Sequence, residues 1–402
     1  MIYAFAFYVW NLVAVFTLGW GLVLPRRRVL PLARWWAWGH LWAMRATIGL
    51  RYRVEGLENL PEGPVLIASK HQSAWETIAF NVIFDRPAFV LKRELFRIPV
   101  IGWWLWRAGQ QEIWQRYQSR PQFLRPTYGL TVWDTDIMGL LSQCFHIQGE
   151  GYSVGGASAS GAVAIIHAAR QIVTGATDIS IALGSIFDIS GYECHGLANL
   201  GAMGSERFAD RPDLACRPFD QDHDGFIYGE GCGVLVLERS DHAQQRGAVS
   251  YGKLMGWGFN LDGNRSPEPS QKGEERAMNT ALAMAELQPE EISYVNTHGT
   301  SSPLGDRTEV AVLKSVGLNN CLVNSTKSLT GHCLTGAGVV EAIATLLQMN
   351  YGFCHPTHNL VNPIDTTLSW VKETAIQAEI KYAISNSFAF GGINTALLIG
   401  KL

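Results

Sequence analysis

The chain has 402 residues, enough for two or three domains, and 47% of them are hydrophobic, enough for a substantial core. A formal net charge of −3 and the lack of a long basic run argue against a nucleic-acid binder. Seven cysteines without CxxC pairing or zinc-like spacing to histidine read as reduced thiols of a cytoplasmic protein with no metal site.

The averages conceal a seam. Residues 1–110 carry 13 Lys and Arg against 6 Asp and Glu, whereas residues 111–402 carry 19 against 29. Eleven of the fourteen Trp lie at or before Trp114, and every Cys lies at or after Cys144. The composition therefore changes near residue 110, and three segments are predicted: 1–25, 26–110 and 111–402.

In the first segment, Met1 to Leu24 contain no charged side chain. About 20 apolar residues at 1.5 Å rise cross a bilayer core. Pro25 and Arg26-Arg27-Arg28 follow, as expected at the cytoplasmic end of a span. The reading is a transmembrane helix through which residues 1–24 meet the inner membrane. A buried helix of a soluble core is the alternative; a signal peptide would have a basic start and a small-residue cleavage site.

The second segment has a strand-like run, Val65 to Ser69, followed by Lys70-His71-Gln72-Ser73-Ala74-Trp75-Glu76. A histidine with a carboxylate five positions on can act as a base with its orienting partner. A solvated loop histidine is the usual outcome of that spacing. With Leu91-Lys92-Arg93-Glu94-Leu95-Phe96 and Pro99-x-x-Gly102-Trp103, the segment resembles the membrane-bound 1-acylglycerol-3-phosphate acyltransferases. The resemblance implies that His71 and Glu76 match the family's His-x4-Asp pair, Glu standing for Asp. The family's later motifs for the glycerol phosphate are missing, so the pair is expected to be vestigial.

From about Ile113 short apolar strands alternate with amphipathic helices. Ser180–Gly184, Gly233–Glu238, Ile292–Asn296 and Thr395–Ile399 read as strands. Ala162–Val173, Asp306–Val316 and Gly338–Met349 read as helices. The alternation predicts a layered α/β fold. Gly155-Gly156-Ala157-Ser158-Ala159-Ser160-Gly161 is a small-residue turn opening into a helix, whose N-terminus offers N–H groups to a developing oxyanion. Two histidines, His298 and His332, stand on loops after predicted strands. With Ser158 on a third loop they form a candidate constellation. Asn386 to Asn394 reads as a glycine-rich loop able to gate a pocket. Asp220-x-Asp222-x-Asp224-Gly225 opens like a calcium loop, but Gly231 stands where a bidentate Glu is required.

These motifs, together with Phe219-Asp220-x-x-x-Asp224-Gly225-Phe226-x-x-Gly229-Glu230, resemble the β-ketoacyl synthases. The resemblance implies a thiolase-like five-layer sandwich, usually a homodimer, whose substrates ride on the phosphopantetheine of an acyl carrier protein, with no other cofactor. By position, His298 and His332 match the active-site histidines, and Lys327 and Glu341 their charged supports. Thr300 and Ser302 match the pantetheine-contacting hydroxyls. Phe390 matches the gate residue whose N–H joins that of residue 158 in an oxyanion hole. Ser158 stands where the nucleophilic cysteine belongs.

A serine hydroxyl is a poor nucleophile unless a base is bonded to it. The family geometry dedicates no histidine to that task, so condensation is expected to fail. Decarboxylation of a malonyl thioester needs only stabilisation of an enolate. This pattern resembles the malonyl carrier-protein decarboxylases of polyketide β-branching cassettes. A serine-based acyl shuttle is the runner-up within the class. The resemblance covers residues 113–402 and lacks the opening of the fold, so the chain reads as a splice of two proteins, the thiolase-like part missing its first strands. A non-functional chimera and a lysophosphatidic acid acyltransferase are the competing readings.

Overall fold

The structure is a computed structural model that describes Trp10 and residues 26–54, 74–83, 133–187 and 189–402. The chain divides into two compact units, Met1–Asp136 and Ile137–Leu402, so the division falls beyond the composition seam near residue 110.

In the first unit, helices α1 (Arg26–Ile48) and α2 (Ala74–Ile83) are described. Ala37, Leu41 and Met44, one helical turn apart on α1, pack on Ile78 and Ala79 of α2. Among the described residues no helix is long and apolar enough to cross a membrane. The predicted span over residues 1–24, Trp10 excepted, lies outside the described residues. So does His71, and with it the predicted His71–Glu76 pair; Glu76 falls within α2.

The second unit carries the α/β pattern. Its strands are β1 (Ile179–Gly184), β2 (Gly233–Glu238), β3 (Lys253–Leu261), β4 (Tyr294–Asn296), β5 (Leu322–Asn324), β6 (Phe353–Cys354), β7 (Ser369–Trp370), β8 (Ile376–Gln377), β9 (Tyr382–Ala389) and β10 (Ile393–Gly400). Its helices are α3 (Thr135–Phe145, all but its first two residues), α4 (Ser160–Val173), α5 (Gly191–Asn199), α6 (Ser240–Gln245), α7 (Gln271–Ala285), α8 (Pro303–Val316), α9 (Lys327–Thr330) and α10 (Ala337–Tyr351). Among the described residues the main sheet has six strands in the order β3-β10-β9-β4-β5-β7. Its centre is parallel (β9-β4-β5-β7), and β10 joins antiparallel to β9 and β3.

Strand periodicity sorts the core into layers. On β10, Leu397 points into a cluster with Ala162, Ile165 and Ile166 of α4 and Val339 and Ala342 of α10. Its neighbours Ala396 and Leu398 point the other way, into a cluster with Ala277, Met278 and Ala281 of α7 and Val312 and Leu313 of α8. Ala182, Leu235 and Leu237 bring the antiparallel β1–β2 pair onto the far side of α4 and α10. The order of layers is therefore β1–β2, then α4 and α10, then the six-stranded sheet, then α7 and α8. The outward face of β1–β2 exposes Ile179, Ile181, Val234 and Val236. The chain thus forms four of the layers expected of a thiolase-like sandwich, among the described residues.

Two glycines bring the middle helices together. A Cβ on Gly161 would lie 2.7 Å from the backbone nitrogen of Val339, and one on Gly338 would lie 2.5 Å from that of Ala162. Only glycine allows this approach, which sets the start of α4 beside the start of α10.

Candidate active site

The predicted elbow is a short 3-10 turn, Ala157–Ala159, running into α4. Ala157 has φ +45°, a left-handed conformation uncommon for a residue with a Cβ. The Ser160 hydroxyl donates to the Ala157 carbonyl at 2.8 Å, and Ala159 N–H donates to Gly156 at 2.8 Å. Ser158 sits half-buried at the crest of this turn.

Parallel strands deliver the charged partners. β4 ends at Asn296, two residues before His298; β5 ends at Asn324, three before Lys327. The two strands are in register, so their exits lie side by side. Lys327 is buried, and its three protons have three acceptors: the His298 carbonyl at 2.6 Å, His298 Nδ1 at 3.2 Å, and the Glu341 carboxylate of α10. Burial pushes the Glu341 carboxyl up to about 7, against the pull of the Lys327 charge.

His332 follows α9. Its N–H donates to Ile227 at 2.7 Å, and its carbonyl accepts from Gly229 N–H at 3.1 Å. A Cβ on Gly229 would lie 2.0 Å from the Thr330 carbonyl. The Phe226-x-x-Gly229 signature is therefore a backbone clamp for His332, with the Phe226 ring edge-on to the imidazole at 5.3 Å. The two imidazoles are 5.5 Å apart and nearly perpendicular, and Phe388 of β9 lies 5.8 Å from His298.

The hydrogen bonds fix both tautomers. Lysine can only donate, so His298 Nδ1 accepts and its proton sits on Nε2. Leu334 N–H donates to His332 Nδ1 at 3.3 Å, so that proton sits on Nε2 too. His332 Nε2 is 2.9 Å from Ser158 Oγ. A histidine therefore does touch Ser158, but not as the base a serine nucleophile needs: the ring donates to the hydroxyl and takes no proton from it. Burial, then the Lys327 charge, holds both imidazoles well below the ordinary histidine range.

The other expected residues are placed as follows. Thr300 donates to the Ser302 hydroxyl at 2.9 Å at the start of α8. Phe390 is 40% exposed in a three-residue turn between β9 and β10. The glycine-rich gate read as a loop from Asn386 to Asn394 is thus mostly strand: only Phe390, Gly391 and Gly392 leave the ladder, and both glycines have positive φ.

Sequence reasoning missed Glu309. Buried on α8, it accepts the N–H groups of His298 at 2.8 Å and Gly299 at 2.9 Å, and Asn386 Nδ2 at 3.1 Å. Burial pushes its carboxyl up to about 7. Asp306, one turn earlier, accepts from Thr300 N–H, Phe219 N–H and the His223 ring. Acidic residues at 306 and 309 share the apolar stripe of Val310 and Leu313, which was the available signal.

Three sets of comparisons bear on this arrangement. The β-ketoacyl synthase N-terminal domain family matches residues 104–243, its C-terminal domain family residues 251–361, and the acyltransferase family residues 51–122. The polyketide biosynthesis malonyl-ACP decarboxylase PksF of Bacillus subtilis is 50% identical over 72% of this chain and 70% of its own length. A β-ketoacyl synthase from Burkholderia phymatum superposes with a TM-score of 0.63 at 34% identity, over 66% of this chain and 65% of that one. A type II polyketide ketosynthase solved with its acyl-carrier protein gives 0.67 at 27% identity, over 73% and 75%. The chain spans about two thirds to three quarters of the length of these proteins.

Proposed function

The chain belongs to the β-ketoacyl synthase family, and from that premise we propose that it decarboxylates malonyl groups carried on the phosphopantetheine of an acyl carrier protein in polyketide biosynthesis. The observation that supports this reading most is the shared tautomer. Two Nε2–H donors stand on neighbouring rings, one of them against a hydroxyl where the family has a thiol.

In the reaction, the malonyl carboxylate leaves as CO2 and its electron pair moves into the thioester carbonyl. The oxygen takes the charge and accepts from His298 and His332; the enolate carbon then takes a proton from water, giving the acetyl thioester. Donors fixed in advance around a developing oxyanion act most strongly in a desolvated site. Thr300 and Ser302 supply hydroxyls for the pantetheine arm, and the N–H groups of Ser158 and Phe390 form the family's second oxyanion position. The acyl carrier protein is the required partner, and the family's homodimer is carried over with the rest.

The serine shuttle needs a base on Ser158. His332 offers a proton instead of a lone pair, which favours decarboxylation. Purified chain mixed with malonyl carrier protein is expected to release CO2 and leave acetyl carrier protein.

The pH profile of that reaction tests the electrostatics. Glu309 serves three N–H donors only when ionised, so kcat is expected to rise as pH rises through about 7 and then level. The imidazoles, held low by burial, titrate well below 6.5. An acid limb centred on 6.5, moving together with the His298 and His332 ring resonances, would contradict this assignment.

A further inference from the structure

Behind Lys327 lies a fully buried polar network that the chemistry above does not use. Tyr294, Asn296, Asn324, Thr326, Gln348 and His355 are all buried there. They join β4, β5 and the cap of α9 to the end of α10 and the segment after β6.

The direction of each hydrogen bond can be followed. His355 Nδ1 lies 2.9 Å from the Pro356 carbonyl, which can only accept, so Nδ1 carries the proton; Asn324 Nδ2, 3.3 Å from the same nitrogen, spends its two protons on closer acceptors, the His355 carbonyl and Gln348 Oε1. His355 Nε2, 3.0 Å from Thr326 Oγ1, is then an acceptor, and the Thr326 hydroxyl donates to it. With its proton committed, Thr326 Oγ1 accepts from Asn296 Nδ2 at 2.6 Å. Asn296 also donates to the Tyr294 hydroxyl at 3.1 Å, which donates onward to Asn324 Oδ1 at 2.5 Å. Asn324 Nδ2 returns to the His355 carbonyl at 2.7 Å and to Gln348 Oε1 at 3.1 Å; Gln348 Nε2 donates to Tyr294 at 2.9 Å. The chain of donors closes on itself.

Two of its members adjoin the reacting groups. Thr326 immediately precedes Lys327, and Asn296 stands two residues before His298. The Asn296–Thr326 bond ties together the strand exits that place Lys327 Nζ on His298 Nδ1. The neutral His355 ring orients that bond, because it alone takes the Thr326 proton. Burial lowers the His355 pKa from the ordinary value, which favours this neutral form.

We propose that His355 is a positioning residue for the reaction: by accepting the Thr326 hydroxyl it locks the two exits that set the His298 tautomer. The inference rests on the reading of His298 as an Nε2–H donor. Without the acceptor, the Thr326 hydroxyl turns to another partner, Asn296 loses its fixed acceptor, and the Lys327–His298 contact loosens. Small misplacements of this kind cost up to about a hundredfold in rate.

The test uses the full chain labelled with 15N-histidine, with His355→Phe, His355→Gln and Thr326→Val. Gln keeps an acceptor near the Nε2 position, Phe does not, and Val removes the hydroxyl at similar volume. In the parent the His298 ring is expected to show the Nε2–H tautomer alone. In H355F and T326V it is expected to show a mixture. For malonyl carrier protein, kcat is expected to fall about tenfold or more in both, with KM within about twofold. H355Q is expected to restore most of the rate and the single tautomer. Unchanged His298 resonances in H355F or T326V overturn the proposal, as does an H355Q variant as impaired as H355F. Should H355F fail to fold, T326V alone carries both readouts. A parent without decarboxylation but with the tautomer shift on substitution supports the positioning role and overturns the proposed reaction, so the two failures are distinguishable.

Discussion

Replacing His298 with Ala is expected to lower kcat for malonyl carrier-protein decarboxylation by about a hundredfold to a thousandfold, the usual loss for one preorganised oxyanion donor. The enolate oxygen carries charge only after the carboxylate has begun to leave, so the His298 N–H contributes more to the transition state than to the bound substrate. KM should therefore change far less than kcat. The fold should tolerate the change, since His298 is half-buried and its backbone N–H stays on Glu309. The measurement is steady-state CO2 release. A loss confined to KM would show that His298 binds the substrate without serving the chemistry.

Lys327→Met is the second large effect, because it strikes stability and activity together. Among the described residues Lys327 is the only hydrogen-bond partner of Glu341, whose Oε2 lacks one there. Removing one member of a buried ion pair costs about 3–5 kcal/mol. The cost depends on pH, and its sign follows from burial. The Glu341 carboxyl is raised above its unfolded value even with lysine present, so its protonated form is the one the folded state accepts once lysine is gone. The unfolded chain ionises freely at pH 8, whereas the folded variant must either hold a proton or bury a charge. The loss should be greater at pH 8 than at pH 6. Activity falls separately, because His298 Nδ1 loses the donor that fixed its tautomer. The double variant Lys327→Met, Glu341→Gln is expected to recover most of the stability and little of the activity. Chemical denaturation at the two pH values, with turnover measured in parallel, separates the two effects. Equal losses at pH 6 and pH 8 would show that Glu341 is not the group left exposed to the change.

How far the sequence reached depends on the kind of signal. Helices α4, α8 and α10 and strands β1, β2, β4 and β10 were legible because their apolar residues keep a helical or alternating period beside glycine-rich turns. Ser158, His298, Lys327 and His332 were legible because each sits in a motif tied to a strand exit or a helix start. The gate was misjudged: glycines at 391 and 392 suggested a long loop, while residues 386–389 are held in the ladder by pairing with β10 across a three-residue hairpin turn. Strand β3 and helix α7 were missed for a related reason. Gly256 and Gly258 weaken the strand signal, yet they are there to let α7 approach; a Cβ on Gly258 would lie 1.9 Å from the Ala277 carbonyl. The direction of the His332–Ser158 bond was also beyond the sequence, because it depends on Leu334 N–H facing the opposite ring nitrogen.

The outward face of β1–β2 bears on the chain as a whole. Ile179, Ile181, Val234 and Val236 lie together on one side of the pair and are exposed. Apolar sheet faces of this kind are covered in stable proteins.

In the proposed reaction Ser158 leaves the acyl group on its carrier while His298 and His332 stabilise the enolate. Intact-protein mass spectrometry during turnover of malonyl carrier protein tests it most directly. Malonyl carrier protein is expected to convert to acetyl carrier protein with the chain's own mass unchanged throughout. Accumulation of a malonyl or acetyl adduct on Ser158, formed and discharged at the rate of turnover, would contradict it and establish the serine as an acyl carrier.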